Sequence, residues 1–346
     1  MFARLRFALI INACVCCIAL WGCVERKERL QISPGGSVFY RFEGKSDSAE
    51  DLYEGDAIPR PAGGWLAQQE VENRDDGTQS HRLIAETVFP AGTPLPSNFA
   101  LRTEADGDLC TQFPTTLKIE RRSDGTYYHF ARTYAARPWM FIEALRERHV
   151  LMPTAELRDV KFEDWTPEQR LTVVRALATF ETEKSLVFAR AAFKRATPEA
   201  PQDGWLLVQQ HLRDCVNHYD YADLAKLLEP RQPFADESAR GEAVAAQLKD
   251  YDELTDDQLK QALFTIADYN GSQYEAFIVE FDRQKKAFAI TEDLGDDKFE
   301  ITVELPGEII ASNAEETSGG SATWTFDGGA VRDREMELMV TSRVPK

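Results

Sequence analysis

The sequence predicts an α+β fold in which antiparallel strands at the N- and C-terminal ends form a shared sheet region, with a large helical insertion between them. Apolar and polar residues alternate up to about residue 137, the apolar spacing is then helical, and alternation returns after residue 292. Strands and helices segregated along a chain in this way are typical of the α+β class. The predicted divisions are 1–22 as a signal peptide, 23–137 as β-hairpins, 138–292 as helices and 293–346 as strands that complete the sheet.

Three hairpins are predicted in the N-terminal region, each from two alternating segments around a turn that contains glycine. The first has its turn at Ser33–Gly36. The second joins 65–73 to 81–89 through Asp75–Gly77, and the third joins 117–121 to 127–134 through Ser123–Gly125. Asp-Gly is a strong hairpin signal because glycine readily accepts a positive φ.

Helices are predicted over 138–150, from Thr166 onward, over 205–227, from Thr255 onward and over 274–288. Thr166 and Thr255 each begin a Thr-x-x-Gln capping box. Lys184 falls on the apolar stripe of the second helix, which predicts a break near 181–184. Further strands are predicted at 299–305, 322–326 and 336–344.

The N-terminus has the pattern of a secretory signal. Arg4 and Arg6 precede an apolar segment over 7–21. This segment is shorter than the roughly 20 residues that a spanning helix needs, so it is interpreted as the apolar region of a signal peptide. An ordinary cleaved signal or an uncleaved anchor is the alternative.

The end of this segment, Leu20-Trp21-Gly22-Cys23, resembles the lipobox of bacterial lipoproteins. The resemblance implies cleavage before Cys23, a diacylglycerol on its thiol and a fatty acyl group such as palmitate on its amine. Two or three acyl chains, at ~0.8 kcal/mol per buried CH₂, anchor a protein durably. The folded part is then expected outside the cytoplasm. Val24 is not acidic, which favours the outer membrane or the cell surface over the inner membrane.

The formal net charge of −18 argues against a nucleic-acid partner, because phosphates would repel the chain. Just after the predicted anchor, in contrast to this negative net charge, the chain carries three basic residues, Arg26, Lys27 and Arg29. These residues could contact anionic headgroups, at about 1 kcal/mol each. They could equally be the protective charges of an edge strand.

Cys110 and Cys215 are the cysteines that follow the lipobox. Exported compartments permit disulfides, so a bond between them is one prediction. The alternative is a site for a soft metal such as zinc at His211, Cys215 and His218, whose i, i+4, i+7 spacing places them on one helix face. The histidines could also be ordinary residues at the edge of an apolar face. No cofactor is predicted.

Aromatic residues are concentrated where the third hairpin is predicted to meet the first helix. One interpretation is an apolar ligand pocket, and the other is packing between sheet and helix. The candidate lining residues are Tyr128, Phe130, Tyr134 and Trp139.

The C-terminal segment contains Pro306-Gly307, Ser312-Asn313 and the strand Trp324-Thr325-Phe326. Together with the lipobox and first hairpin, it resembles the closing module of LppM-like bacterial lipoproteins. The resemblance implies a β module and binding of membrane glycolipids, and it transfers no catalytic residue.

The chain contains no common hydrolase, metalloprotease or nucleotide-binding motif. We therefore expect a non-enzymatic envelope lipoprotein that binds an apolar ligand, such as a lipid, or an envelope protein partner close to the membrane. The alternatives are a metal-dependent hydrolase that uses His211 and His218, and a purely structural envelope protein.

Overall fold

The computed structural model describes residues 24–47, 49, 52, 58–59, 63–73, 79–99, 111–199, 202–229, 251 and 253–346. They belong to two compact units. The β unit consists of the described residues of Trp21–Trp139 together with Ala287–Lys346, and the helical unit lies within Met140–Lys286. Strands near both ends of the chain with helices between them confirm the predicted α+β class.

The strands of the β unit are numbered in chain order. They are β1 Glu25–Ile32, β2 Val38–Ser46, β3 Leu66–Asn73, β4 Gln79–Phe89, β5 Thr115–Arg122, β6 Gly125–Tyr134, β7 Lys298–Glu304, β8 Glu308–Ser312, β9 Glu316–Ser318, β10 Ser321–Asp327 and β11 Met336–Pro345.

The strands form two sheets that share one hydrophobic core. The larger sheet has the order β3-β4-β2-β1-β7-β10-β9, and the smaller has the order β5-β6-β11-β8. β1 and β7 pair in parallel, with Leu30 opposite Val303, whereas the other neighbours pair antiparallel. β1 thus lies beside a strand near the C-terminus, as the predicted shared sheet requires, but this one pairing is parallel where antiparallel strands were predicted.

The first and third predicted hairpins are confirmed as β1–β2 and β5–β6. Gly36 has φ +90° in the first turn, a conformation that favours glycine. The second is confirmed as the pair β3–β4, although its turn at 74–78 lies outside the described residues. The short strands β8 and β9 were not predicted from the sequence.

The helices are numbered in the same way. They are α1 Met140–Arg146, α2 Pro167–Ala196, α3 Gln202–His218, α4 Ala222–Leu227, α5 over 253–265 and α6 Gly271–Asp293. A single π-helical turn, Glu147–Leu151, follows α1, and the boundary between the two units falls within α6.

The capping box at Thr166 is confirmed. Gln169 N donates to Thr166 Oγ1 at 3.2 Å, and Thr166 N donates to Gln169 Oε1 at 2.9 Å. The break predicted near 181–184 is wrong, because α2 continues through it. Lys184 is accommodated by an ion pair with Glu181 at 2.5 Å and by the ring of Phe180.

Two other helix predictions need correction. Thr255 lies inside α5, where its hydroxyl donates to the Tyr251 carbonyl, so it caps nothing. The capping box that does form is Asn270 with Gln273, which begins α6. The single helix predicted over 205–227 is two helices, separated at 219–221.

A buried ion pair connects the two sheets. Arg132 on β6 and Glu28 on β1 are 0% and 4% exposed, and Arg132 Nη1 lies 2.5 Å from a Glu28 oxygen. Tyr40 on β2 donates its hydroxyl to the same Glu28 oxygen and accepts from Arg132 Nη2 at 3.0 Å. Arg132 also donates to Thr115 Oγ1 at 2.9 Å. Both charged groups are therefore hydrogen-bonded inside the core.

The neighbouring aromatic rings strengthen this arrangement. The guanidinium of Arg132 lies over the Phe113 ring, 4.9 Å from its centroid, which adds a cation–π contact. Burial raises the pKa of Tyr40 and of Tyr134 well above the ordinary value for a tyrosine. Both hydroxyls therefore keep their protons, and the Tyr40 hydroxyl remains a donor to Glu28.

We expect Arg132→Leu to lower the free energy of unfolding by about 3–5 kcal/mol, because it leaves the carboxylate of Glu28 buried without its cation. The double variant Glu28→Leu/Arg132→Leu should be more stable than Arg132→Leu alone, since it removes both charges. Urea denaturation of the three proteins measures the difference.

Arg29→Leu is the matched control, because Arg29 lies on the same strand as Glu28 but forms an exposed ion pair with Glu304. It should cost less than about 1 kcal/mol. An Arg132→Leu variant as stable as Arg29→Leu would contradict the proposed importance of the buried pair.

Candidate functional site

The structure describes the chain from Val24 onward, directly after the predicted lipidation residue, and Cys23 itself lies outside the described residues. Val24 is 2% exposed. Its N–H donates to Asp297 Oδ1 at 3.0 Å, and its carbonyl accepts from Lys298 N at 3.0 Å. Both backbone groups of Val24 are therefore bonded to the segment that begins β7.

Asp297 is fully buried and also pairs with Arg26. Arg26 Nε and Nη2 lie 2.9 Å and 2.7 Å from Asp297 Oδ2, and the guanidinium lies over the Phe299 ring at 5.4 Å. One carboxylate thus receives the Val24 amide on one oxygen and a guanidinium on the other. This group, Val24, Arg26 and Asp297, is called the N-terminal clamp below.

The two alternatives for the basic residues of β1 can now be judged. The edge-strand alternative is wrong, because β1 lies between β2 and β7. Arg26 is buried and faces Asp297 rather than solvent. Lys27 and Arg29 lie on the outer face, where acidic residues of β7 pair with them: Glu300 at 2.8 Å and Glu304 at 2.6 Å.

Three of the four predicted pocket residues lie together in the core of the β unit. Tyr128, Phe130 and Tyr134 are on the inner face of β6 and are at most 3% exposed. The Tyr128 hydroxyl donates to the Pro34 carbonyl at 2.9 Å. The Tyr134 ring packs against Phe113 and Phe326, with centroids 5.9 Å and 5.3 Å away.

Trp139 has different neighbours. It stacks on Phe288 with ring centroids 5.7 Å apart, and the guanidinium of Arg332 lies 3.6 Å from its ring centroid. Its backbone N–H donates to Asp333 Oδ1 at 2.8 Å. The predicted lining residues are thus divided between the sheet core and this stack.

The predicted metal ligands lie in the helical unit. The structure brings His211 and Cys215 together: His211 Nε2 is 3.6 Å from Cys215 Sγ, and both contact Gln258 Oε1, at 3.2 Å and 3.5 Å. His218 instead directs Nδ1 to the Asp214 carbonyl at 2.7 Å. Among the described residues, no group of three His, Cys, Asp or Glu side chains is arranged to hold a metal.

Cys215 is a free thiol in the structure, and Cys110 lies outside the described residues. A disulfide between them therefore has no structural support and stays a prediction. Burial, and then the negative charge of Asp214, raise the pKa of the Cys215 thiol. The thiol is thus held in its protonated, less nucleophilic form.

The C-terminal motif residues have clear structural roles. Asn313 Oδ1 accepts from Trp324 Nε1 at 2.9 Å and from Met339 N at 2.8 Å, while Asn313 Nδ2 donates to the Glu337 carbonyl at 2.7 Å. Trp324 belongs to the larger sheet, and Glu337 and Met339 belong to the smaller one. One asparagine amide therefore joins the two sheets where the C-terminal strands meet.

Pro306 and Gly307 form the corner between β7 and β8. Gly307 has φ +87°, and a Cβ at this position would clash with the Arg343 carbonyl. The Ser342 hydroxyl donates to the Pro306 carbonyl at 2.7 Å. The corner thus requires glycine and rests directly on β11.

Within the part of the chain that the structure describes, none of the helices combines the length and the apolar character of a membrane span. No protein-family model matches the chain, and no curated protein matches it either. The chain is similar in structure to the folded domain of the Mycobacterium tuberculosis LppM protein, solved by NMR. That similarity covers 95% of this chain and 94% of the other at 7% identity, with a TM-score of 0.28, a level that carries no argument about fold or function.

Sequence reasoning missed three residues that organise the β unit: Glu28, Arg132 and Asp297. Glu28 and Arg132 do carry a signal, since each occupies a position that the alternation of its strand assigns to the inner face. Two charges predicted at core positions imply a buried pair. Asp297 carries no such signal, because it lies before β7 in a cluster of acidic residues.

We expect Asn313→Ala to lower the free energy of unfolding by about 1–2 kcal/mol, because it removes the acceptor of two donors, Trp324 Nε1 and Met339 N. Ser312→Ala removes a hydroxyl that donates to the Met339 carbonyl and accepts from Ala314 N. It should cost less, because neither bond joins the two sheets. Denaturation followed by tryptophan fluorescence measures both. Equal stability of the two variants would contradict a joining role for the amide.

The raised pKa of Cys215 predicts slow alkylation of the native protein. At neutral pH a smaller fraction of this thiol is ionised than in an exposed cysteine, so iodoacetamide should react more slowly with it than with free cysteine. Asp214→Asn removes one of the two causes and should increase the rate. A native rate equal to that of free cysteine contradicts the prediction, and no reaction in denatured, unreduced protein would indicate a disulfide.

Proposed function

We propose that this chain is a bacterial envelope lipoprotein, anchored by lipid on Cys23, whose ectodomain acts by binding rather than by catalysis. The anchor places it outside the cytoplasm, in the outer membrane or at the cell surface. Its ligand is an apolar molecule such as a lipid, or a protein partner close to the membrane.

The observation that carries this proposal is the position of the fold relative to the lipobox. The sequence ends its signal pattern at Gly22, and the first described strand begins at Glu25, two residues after Cys23. Val24 is already buried in the β unit. Cleavage before Cys23 would therefore remove the signal and leave the folded part intact, as a lipoprotein requires.

The arrangement of the histidines favours binding over the hydrolase alternative. A catalytic zinc site uses three protein ligands and keeps one open position. His211 and Cys215 contact each other and Gln258, whereas His218 is bonded to the backbone of its own helix. Among the described residues, His211 and His218 belong to no group of three His, Cys, Asp or Glu side chains arranged to hold a metal, as the hydrolase alternative would need.

We expect Cys23→Ser to abolish lipidation, so that the ectodomain stays unprocessed or is released, while the wild type partitions into detergent. Cys17→Ser, which changes another cysteine of the signal, is the control and should leave both properties unchanged. Detergent partition and the intact mass of the mature chain measure the effect. A wild-type protein with an unmodified Cys23 would contradict the proposed anchor.

Native mass spectrometry of protein extracted from its own envelope tests the binding function. A co-purifying lipid supports an apolar ligand, and a stoichiometric second protein supports a partner. Stoichiometric zinc that is lost in His211→Ala would instead favour the metal-dependent alternative.

A further inference from the structure

We infer that the Gly22–Cys23 peptide bond is a substrate only while the chain is unfolded, so that its hydrolysis precedes the pairing of β1 with β7. This inference rests on the proposed lipid anchor at Cys23 and adds to it the order of two events. The reaction is peptide hydrolysis by a signal peptidase: water adds across the bond and gives the carboxylate of Gly22 and the amine of Cys23. Formation of the N-terminal clamp then ends access to the bond.

A peptidase needs the chain on both sides of the bond that it cuts. An enzyme cleft commonly binds a peptide as an extended segment, through hydrogen bonds to the main chain of the peptide. Val24 is the second residue after the bond, and consecutive Cα atoms are only about 3.8 Å apart. The backbone groups of Val24 must therefore leave their own partners before an enzyme can enclose the bond.

In the folded protein these backbone groups are already bonded. Val24 is 2% exposed, its N–H donates to Asp297 Oδ1 at 3.0 Å, and its carbonyl accepts from Lys298 N at 3.0 Å. The residues that follow form β1, which is paired with β2 on one edge and with β7 on the other. The described chain directly after Cys23 therefore offers a peptidase neither a free extended segment nor a free strand edge.

Other segments of the β unit enclose the clamp. Asp297 N donates to the Leu294 carbonyl at 3.2 Å, and the Asp297 carbonyl accepts from Gly328 N at 3.0 Å. Asp297 and Leu294 are 0% and 1% exposed, and a Cβ at Gly328 would clash with the Leu294 carbonyl. Moving Val24 away would leave an oxygen of the buried Asp297 carboxylate without its donor, which is unfavourable.

The central position of β1 also makes local opening unfavourable. Core strands open with free energies that approach the free energy of global unfolding, whereas chain ends and mobile loops open more readily. When opening and closing are fast, cleavage of a folded protein follows the population of its open form. The folded precursor should therefore be cleaved much more slowly than the unfolded precursor.

The order of the chain provides the interval in which the bond is accessible. The clamp joins Val24 to Asp297, which lies 273 residues later in the sequence. A chain that is exported from its N-terminus presents residues 22–26 well before Asp297 and β7 reach the same side of the membrane. Until they do, β1 lacks one of its two neighbours and the clamp cannot form.

The test uses the full-length precursor with an unmodified Cys23, together with membrane vesicles from its own cells as the source of lipid and peptidase. One sample is diluted from urea directly into the vesicles, and the other is refolded first. Loss of residues 1–22, measured by intact mass, should be about tenfold or more slower in the refolded sample. As the refolding time increases, the cleavable fraction should fall with the rate constant that tryptophan fluorescence gives for folding.

A linker variant separates access to the bond from stability of the fold. A valine followed by twelve Gly/Ser residues, inserted between Cys23 and Val24, leaves the clamp in place and adds about 20 Å of flexible chain after the bond. The refolded linker precursor should be cleaved as fast as the wild-type precursor diluted from urea. A refolded linker precursor that is cleaved as slowly as the refolded wild type would overturn the inference.

Asp297→Ala tests the clamp itself, because it removes the acceptor of both Val24 N and Arg26. It should raise the cleavage rate of the refolded precursor several-fold. Glu300→Ala is the matched control, since it removes only the exposed pair with Lys27, and it should leave the rate unchanged. Equal rates in these two variants would show that the clamp does not control access.

The same samples separate failure of this inference from failure of the proposed function. Equal cleavage of the refolded and the urea-diluted wild-type precursors would overturn the order of events and leave the anchor in place. If neither the urea-diluted precursor nor the linker precursor loses residues 1–22, and protein extracted from cells carries an unmodified Cys23, the anchor and this inference fail together.

Discussion

The parallel pairing of β1 with β7 is the constraint on which the β unit depends. It joins the first described residues to a strand some 270 positions later, as the Val24–Asp297 hydrogen bond illustrates. Closing so long a loop costs conformational entropy, but that cost grows only with the logarithm of loop length. A large helical insertion between the paired strands is therefore tolerated, and both ends of the chain contribute to one core.

Two buried ion pairs use the inner face of β1, and they connect it in different directions. Glu28 pairs with Arg132 of the opposite sheet, whereas Arg26 pairs with Asp297 at the start of the neighbouring strand. Buried pairs add little net stability, because desolvation offsets much of their attraction. They act more strongly against alternative packings of the β unit, because any packing that separates the two partners leaves an unpaired charge in the core.

Much of the β unit was predictable because local signals agreed with the final structure. The turns at Ser33–Gly36 and Ser123–Gly125 contain the glycines that their hairpins need, and the alternation defines both flanking strands. The helical boundaries were predicted less well. Thr255 and Asn270 both begin a polar x-x-Gln motif, but Thr255 lies inside α5 and only Asn270 forms the capping box. The clamp was not predictable, since it depends on a contact between Val24 and Asp297 that no local pattern reveals.

The charged sequence of β1 explains both the wrong edge-strand interpretation and the single register of the sheet. Charged residues occupy 25–29 consecutively, which is typical of an exposed strand. β1 is a central strand, however. On its inner face, Arg26 pairs with Asp297 and Glu28 with Arg132. On its outer face, Lys27 and Arg29 pair with acidic residues of β7. A slip of one residue would exchange the two faces and bury Lys27 and Arg29 in place of Arg26 and Glu28. The same charged residues that suggested an edge strand therefore fix the register of β1, and with it the position of Val24 beside Asp297.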